Sequence, residues 1–79
     1  MQNSHLLHEF RKNTLERVRV ELSNYRSKPV ISIRVYYNAS VTGEEWRPSP
    51  KGITMSSDLI PELKKAIDKA YEEWQEQIK

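Results

Sequence analysis

Between Leu15 and Leu22 the chain alternates without a break. Val18, Val20 and Leu22 fall on one side, and Arg17, Arg19 and Glu21 on the other. A period of two predicts an extended strand with one face buried and one face wet, as in an antiparallel sheet. A second strand is predicted from Pro29 to Tyr37. Its Val30, Ile31, Ile33, Val35, Tyr36 and Tyr37 are β-branched or aromatic, types that suit a pleated, half-buried surface. Ile31, Ile33 and Val35 share one face; Ser32 and Arg34 share the other. Ser23 to Lys28 reads as the turn between these strands. Glu45-Trp46-Arg47 predicts a short third strand, turned or interrupted by Pro48-Ser49-Pro50 because proline cannot donate to a ladder. Gly52-Ile53-Thr54-Met55 predicts a fourth, with Ile53 and Met55 inward.

The period then changes from two to 3.6. Ile60, Leu63, Ala66, Ile67, Ala70, Tyr71, Trp74 and Ile78 form one stripe on a helix, with Lys64, Lys65, Asp68, Lys69, Glu72, Glu73 and Glu76 outside it. Ser56, Ser57 or Asp58 can cap this helix. Pro61 must lie in its first turn, which predicts a start at Ser57 or Asp58. Met1 to Asn13 shows no clear period and reads as a flexible arm (1–13) before a single domain (14–79). The order of elements predicts an α+β fold: a four-stranded antiparallel sheet followed by one long C-terminal helix.

Composition sharpens this picture. With 79 residues and no cysteine, disulfides cannot compensate for a small core. A helix of about 20 residues spans about 30 Å, more than a short sheet covers. A second copy of the chain is the simplest surface for the stripe Leu63, Ile67, Ala70, Tyr71, Trp74 and Ile78. The alternative is that its aromatics fold back on their own sheet. No run of apolar residues is long enough to span a bilayer, and the first ten residues do not read as a signal peptide. A cytoplasmic protein with no membrane partner is therefore expected, and Asn38-Ala39-Ser40 is read as a chance sequon. Net charge is +2, but it is unevenly spread. Residues 11–51 hold nine basic and four acidic residues, net +5; residues 52–79 hold four basic and six acidic, net −2. A polyanion should prefer the sheet half.

No catalytic constellation emerges. His5 and His8 lie in the arm, away from any nucleophile, and two histidines make a weak metal signal. The two glycines form no phosphate loop. The chain reads as a non-enzyme without metal or cofactor. What remains is a binding surface: Tyr25, Arg26, Lys28, Arg34, Tyr37, Arg47 and Lys51. Flat rings stack any base and cations pair with phosphates, the pattern that takes a single nucleic-acid strand. Arg17 and Arg19 are additional candidates, or an ordinary wet face. Trp46 either stacks a base or completes a core. A basic sheet face docking an acidic protein partner fits the same residues, and RNA fits as well as DNA.

These residues, in this order, resemble the transcriptional coactivator p15 family, also called positive cofactor four. The resemblance runs from about Leu15 to Ile78. It rests on Tyr25-Arg26-Ser27-Lys28, the strand Val30 to Tyr37, Trp46-Arg47-Pro48, Lys51-Gly52-Ile53-Thr54-Met55 and the amphipathic helix after them. It implies a curved sheet, a homodimer paired through the helices, and single-stranded DNA across the two sheets. Tyr25 and Tyr37 would occupy the base-stacking positions, and Arg26, Lys28, Arg34, Arg47 and Lys51 the basic DNA-contacting ones. Ser27 stands where the family has glycine, tyrosines stand for phenylalanine and tryptophan, and Pro50 stands where a basic residue often precedes the lysine. The long Ser-rich, acidic N-terminal region of eukaryotic members is missing. The compact form resembles bacterial or phage members, nucleoid-associated if bacterial. It implies a general role in transcription, replication or repair, with the transcription machinery as a further partner.

Overall fold

The computed structural model describes residues 4–78. Four strands form one antiparallel sheet in sequence order: β1 (His5–Arg11), β2 (Glu16–Tyr25), β3 (Lys28–Asn38) and β4 (Trp46–Ser56). A single 3-10 turn, Ser57–Leu59, leads into the helix α1 (Ile60–Gln77). The α+β class and the run of antiparallel strands before one helix follow the hydrophobic pattern, though the four strands are not the four expected.

The alternation of β2 and β3 fixes their register. Val18 faces Val35, Val20 faces Ile33 and Leu22 faces Ile31; Ile53 and Met55 of β4 continue the same face. A slip of one residue would turn all of these to water. The opposite face carries Arg17, Arg19, Glu21, Ser32, Arg34 and Tyr36. The hairpin between β2 and β3 is tight. Only Arg26 and Ser27 lie between the paired Tyr25 and Lys28, and both have positive φ, 51° and 66°. That is the two-residue primed turn whose twist matches the strands, built here without glycine.

Three expectations are corrected. The arm expected over 1–13 forms strand β1 from His5 to Arg11; residues 1–3 lie outside the described residues. Its period is hidden by a bulge between Leu6 and His8, after which Phe10 pairs with Val18 and Glu9 with Arg19. An extra residue reverses the parity of alternation. The short strands expected at 45–47 and 52–55 are one strand, β4, running through both prolines. It is an edge strand, so a missing N–H costs no ladder bond on its open side. The register shift against Arg34 and Tyr36 absorbs the extra residues. Finally, neither Ser56, Ser57 nor Asp58 caps α1. Leu59 precedes the helix without a side-chain hydrogen bond, and Pro61 sits in its first two positions.

The core is thin. Ile31, 7% exposed, is the one hydrophobic residue buried outright among those described. Ile60 and Leu63 are half-buried, but every described helical residue from Lys64 on is exposed. Ile67 is 59% exposed and Trp74 52%, so the stripe does not fold back onto its own sheet. The radius of gyration is 15.0 Å, against about 11.6 Å for a compact domain of this length. The surface of 6609 Å² exceeds by about 1,600 Å² what a compact protein of this mass exposes. No helix among the described residues is long and apolar enough to cross a membrane.

Candidate nucleic-acid interface

The candidate residues fall at two ends of the sheet rather than in one cluster. At the β2–β3 tip, Tyr25 is 53% exposed and the Arg26 guanidinium lies over its ring, 5.3 Å from the centroid. Lys28 pairs in register with Tyr25 on the same face and has no ion-pair partner among the described residues. Beside them lies a polar hollow of about 220 Å³, lined by Tyr25 with Ser23, Ser32 and Thr54 among others. Arg34 stands further along this face. Its guanidinium donates to the Ser49 carbonyl at 3.0 Å and lies 3.5 Å from the Thr54 hydroxyl.

Tyr37 sits at the other end, about nine residues or 30 Å along β3. By register it pairs with Glu16 and Arg47, on the side of Val35 rather than of Arg34. It is 39% exposed and borders a larger hollow of about 550 Å³ with Asn13, Thr14, Leu15, Glu16 and Asn38. Arg47 bridges Glu45 at 3.2 Å, and Lys51 approaches Glu16 at 3.8 Å. The Arg47–Glu45 pair is exposed on both sides, and Lys51 is exposed although Glu16 is half-buried, so both cations can exchange their partner for a phosphate at little cost. Hydrogen bonds from Asn13 and then Lys12 hold the Glu16 carboxyl below its ordinary range. The two tyrosines therefore mark opposite ends and opposite faces of the β2–β3 hairpin.

The additional candidates are already engaged. Arg17 lies over the Trp46 ring at 4.4 Å and Arg19 over Tyr36 at 4.3 Å. Both donate to the carboxylate of Glu9, Arg17 at 2.9 Å. Trp46 is thus a platform for an arginine, with its indole nitrogen buried. Burial, reinforced by the Glu21 carboxylate, raises the Tyr36 phenol above its ordinary range. The hydrogen bond from Arg19 is the chief reason the Glu9 carboxyl titrates below its ordinary range. Glu9 went unread in the sequence because its strand did. No group of His, Asp or Glu among the described residues could hold a metal ion.

Asn38 organises the loop between β3 and β4. Its side-chain carbonyl accepts from the backbone N–H of Ser40 (3.0 Å) and Glu45 (3.1 Å), and its amide donates to the Gly43 carbonyl.

An open antiparallel sheet trailing one helix, its wet face set with arginines over aromatic rings, defines a small α+β protein. Residues 12–66 match the model of the Transcriptional Coactivator p15 (PC4) family, and the chain belongs to that family. Among solved structures, the fold is similar to that of a PC4 homologue from Burkholderia pseudomallei K96243 in its tetragonal crystal form. The identity is 16% and the TM-score 0.77, over 87% of this chain and 98% of the other. It is also similar to the bacteriophage T5 homologue of the eukaryotic transcription coactivator PC4, a protein implicated in recombination-dependent DNA replication. There the identity is 21% and the TM-score 0.66, over 94% of this chain and 81% of the other. At these identities the likeness is one of fold. No curated protein matches the chain.

Proposed function

We propose that the protein is a homodimer that holds a single DNA strand without reading its sequence, in the service of transcription or replication. The observation that carries the reading is Tyr25: an exposed ring at a hairpin tip, with Arg26 over it and the free cation Lys28 beside it. An exposed ring in water contributes little to the fold, whereas a base stacked on it contributes about 1–3 kcal/mol. Family membership supports DNA as the ligand and transcription as the setting; the T5 relative supports replication. The exposed helical stripe and the surplus surface support pairing, since a standard interface covers about 800 Å² per partner. Tyr25, Lys28 and Arg34 leave the same face of the sheet, so a strand stacked on Tyr25 can pair its phosphates with both cations. Rings stack on any base and cations pair with any phosphate, so affinity should be set by stacking and charge.

Fluorescence polarisation with oligo-dT, duplex DNA and RNA of one length tests this. Tyr25→Ala is expected to weaken oligo-dT binding about 5- to 150-fold, the equivalent of about 1–3 kcal/mol, with the melting temperature unchanged. The log–log salt slope should be about −3, as four or five phosphates at about −0.7 each require. Equal binding by wild type and Tyr25→Ala, or a flat salt response, would overturn the reading; tighter binding of RNA than DNA would change the strand it holds.

A further inference from the structure

The wet face of the sheet carries a second cationic site. Arg17 and Arg19 are two residues apart on β2, so their side chains leave the same face. Arg11 faces Arg17 across the β1–β2 pair, and Arg34 faces Arg19 across the β2–β3 pair. Four arginines thus share one patch. Two of them have their planes fixed, Arg17 over Trp46 and Arg19 over Tyr36. Packing a guanidinium on a ring removes much of its freedom before any ligand arrives, and its fork matches two oxygens of one anion. Both forks converge on one carboxylate, with Arg17 on one oxygen of Glu9 and Arg19 on the other. Glu44 lies further from Arg17, at 3.7 Å, and Glu21 is held by the Tyr36 hydroxyl. Two convergent forks on one pair of oxygens form the arrangement that recognises a phosphodiester.

We propose that Arg17 and Arg19 form a phosphate site that Glu9 of the edge strand β1 occupies in the free chain, so that an incoming single strand must displace the Glu9 carboxylate. The chain's own carboxylate stands in for a backbone phosphate and lowers affinity. Glu9 competes from within the molecule at high effective concentration, so its charge sets how many arginines an incoming strand can engage. This inference rests on the single-strand reading above.

The test is oligo-dT binding at about 50 mM and about 200 mM salt. The chains compared are the wild type, Glu9→Gln, Glu62→Gln as a helix control with the same change of charge, and Glu9→Gln combined with Arg17→Gln and Arg19→Gln. Glu9→Gln should bind more tightly than Glu62→Gln, with a salt slope steeper by about 0.7–1.4, for one or two added phosphates. Its advantage over wild type should therefore grow about three- to seven-fold on going from the higher to the lower salt. Loss of both arginines should abolish the gain. Inorganic phosphate at constant ionic strength distinguishes the sources: a melting temperature of Glu9→Gln that rises with millimolar phosphate, with no gain in its oligo-dT affinity over Glu62→Gln, assigns the site to free phosphate and overturns the backbone assignment.

Equal gains for Glu9→Gln and Glu62→Gln would overturn the inference while leaving single-strand binding intact. Binding by neither the wild type nor Glu9→Gln would overturn both. Binding by Glu9→Gln alone would support the cap and show it to be complete. Circular dichroism checks folding. Should Glu9→Gln unfold, Glu9→Asp carries the comparison: its side chain is one methylene shorter and should hold the two arginines less well, so a smaller gain is expected and no gain overturns the proposal.

Discussion

At the scale of single residues, backbone contacts decide more than side-chain chemistry. A Cβ on Gly52 would lie 2.7 Å from the Ile33 carbonyl oxygen and 2.9 Å from the Arg34 Cα. Neither is the tip of a flexible side chain, so the β3–β4 pair would have to move. Gly52→Ala is expected to destabilise by about 1–3 kcal/mol and to lower the melting temperature by several degrees or more. Ser27 presents the converse case. Its φ of 66° costs an L-residue about 1–2 kcal/mol; glycine removes that cost, and its greater freedom in the unfolded chain offsets only part of the gain. Ser27→Gly should raise the melting temperature by a few degrees, as calorimetry would report. Glu9 supplies a pH dependence. Its carboxyl is held below the ordinary range by Arg19 and then Arg17, against the opposing effect of burial. The native state therefore prefers the ionised form. Its contribution is full above the unfolded carboxyl pKa of about 4.3 and is lost as pH falls through the lower native value. Thermal melts from pH 6 to pH 3 should decline less steeply for Glu9→Gln than for wild type.

At the scale of elements, the strands were largely legible because β2 and β3 alternate cleanly, and their pairing follows from keeping Val18, Val20, Leu22, Ile31, Ile33 and Val35 together. Strand β1 was not legible, since its bulge puts Leu6 and Phe10 out of phase. The unity of β4 was hidden too, because Pro48 and Pro50 argue for a break unless the strand is known to lie at an edge. The same map orders local stability. Interior strand β3 should show the slowest amide exchange, and edge strand β1 faster exchange, in hydrogen–deuterium exchange. Uniform protection across all four strands would contradict the assignment of β1 to an edge with exposed Leu6, Leu7 and Phe10.

At the scale of the molecule, one chain does not close its own core. The helix carries an exposed apolar stripe that includes the Tyr71–Trp74 ring pair at 5.7 Å and runs on to Ile78. The proposed dimer should sediment at about twice the chain mass of 9.4 kDa and melt at a temperature that rises with protein concentration. Ile67→Asp with Trp74→Lys should yield monomers by ultracentrifugation and a concentration-independent, lower melting temperature. A wild-type mass of one chain at micromolar concentration would remove the dimer.

The α+β class, the β2–β3 register and the family were set by local patterns: a period of two, then a period of 3.6, and a few residues at fixed offsets. Such periods are properties of neighbours in the chain, and a sequence displays them directly. Tertiary structure alone decided that Arg17 and Arg19 stack on Trp46 and Tyr36, and that Glu9 reaches both arginines. These depend on bulges and on pairings between residues as far apart as Glu9 and Arg19 or Arg17 and Trp46. A single inserted residue there reverses which face a side chain joins.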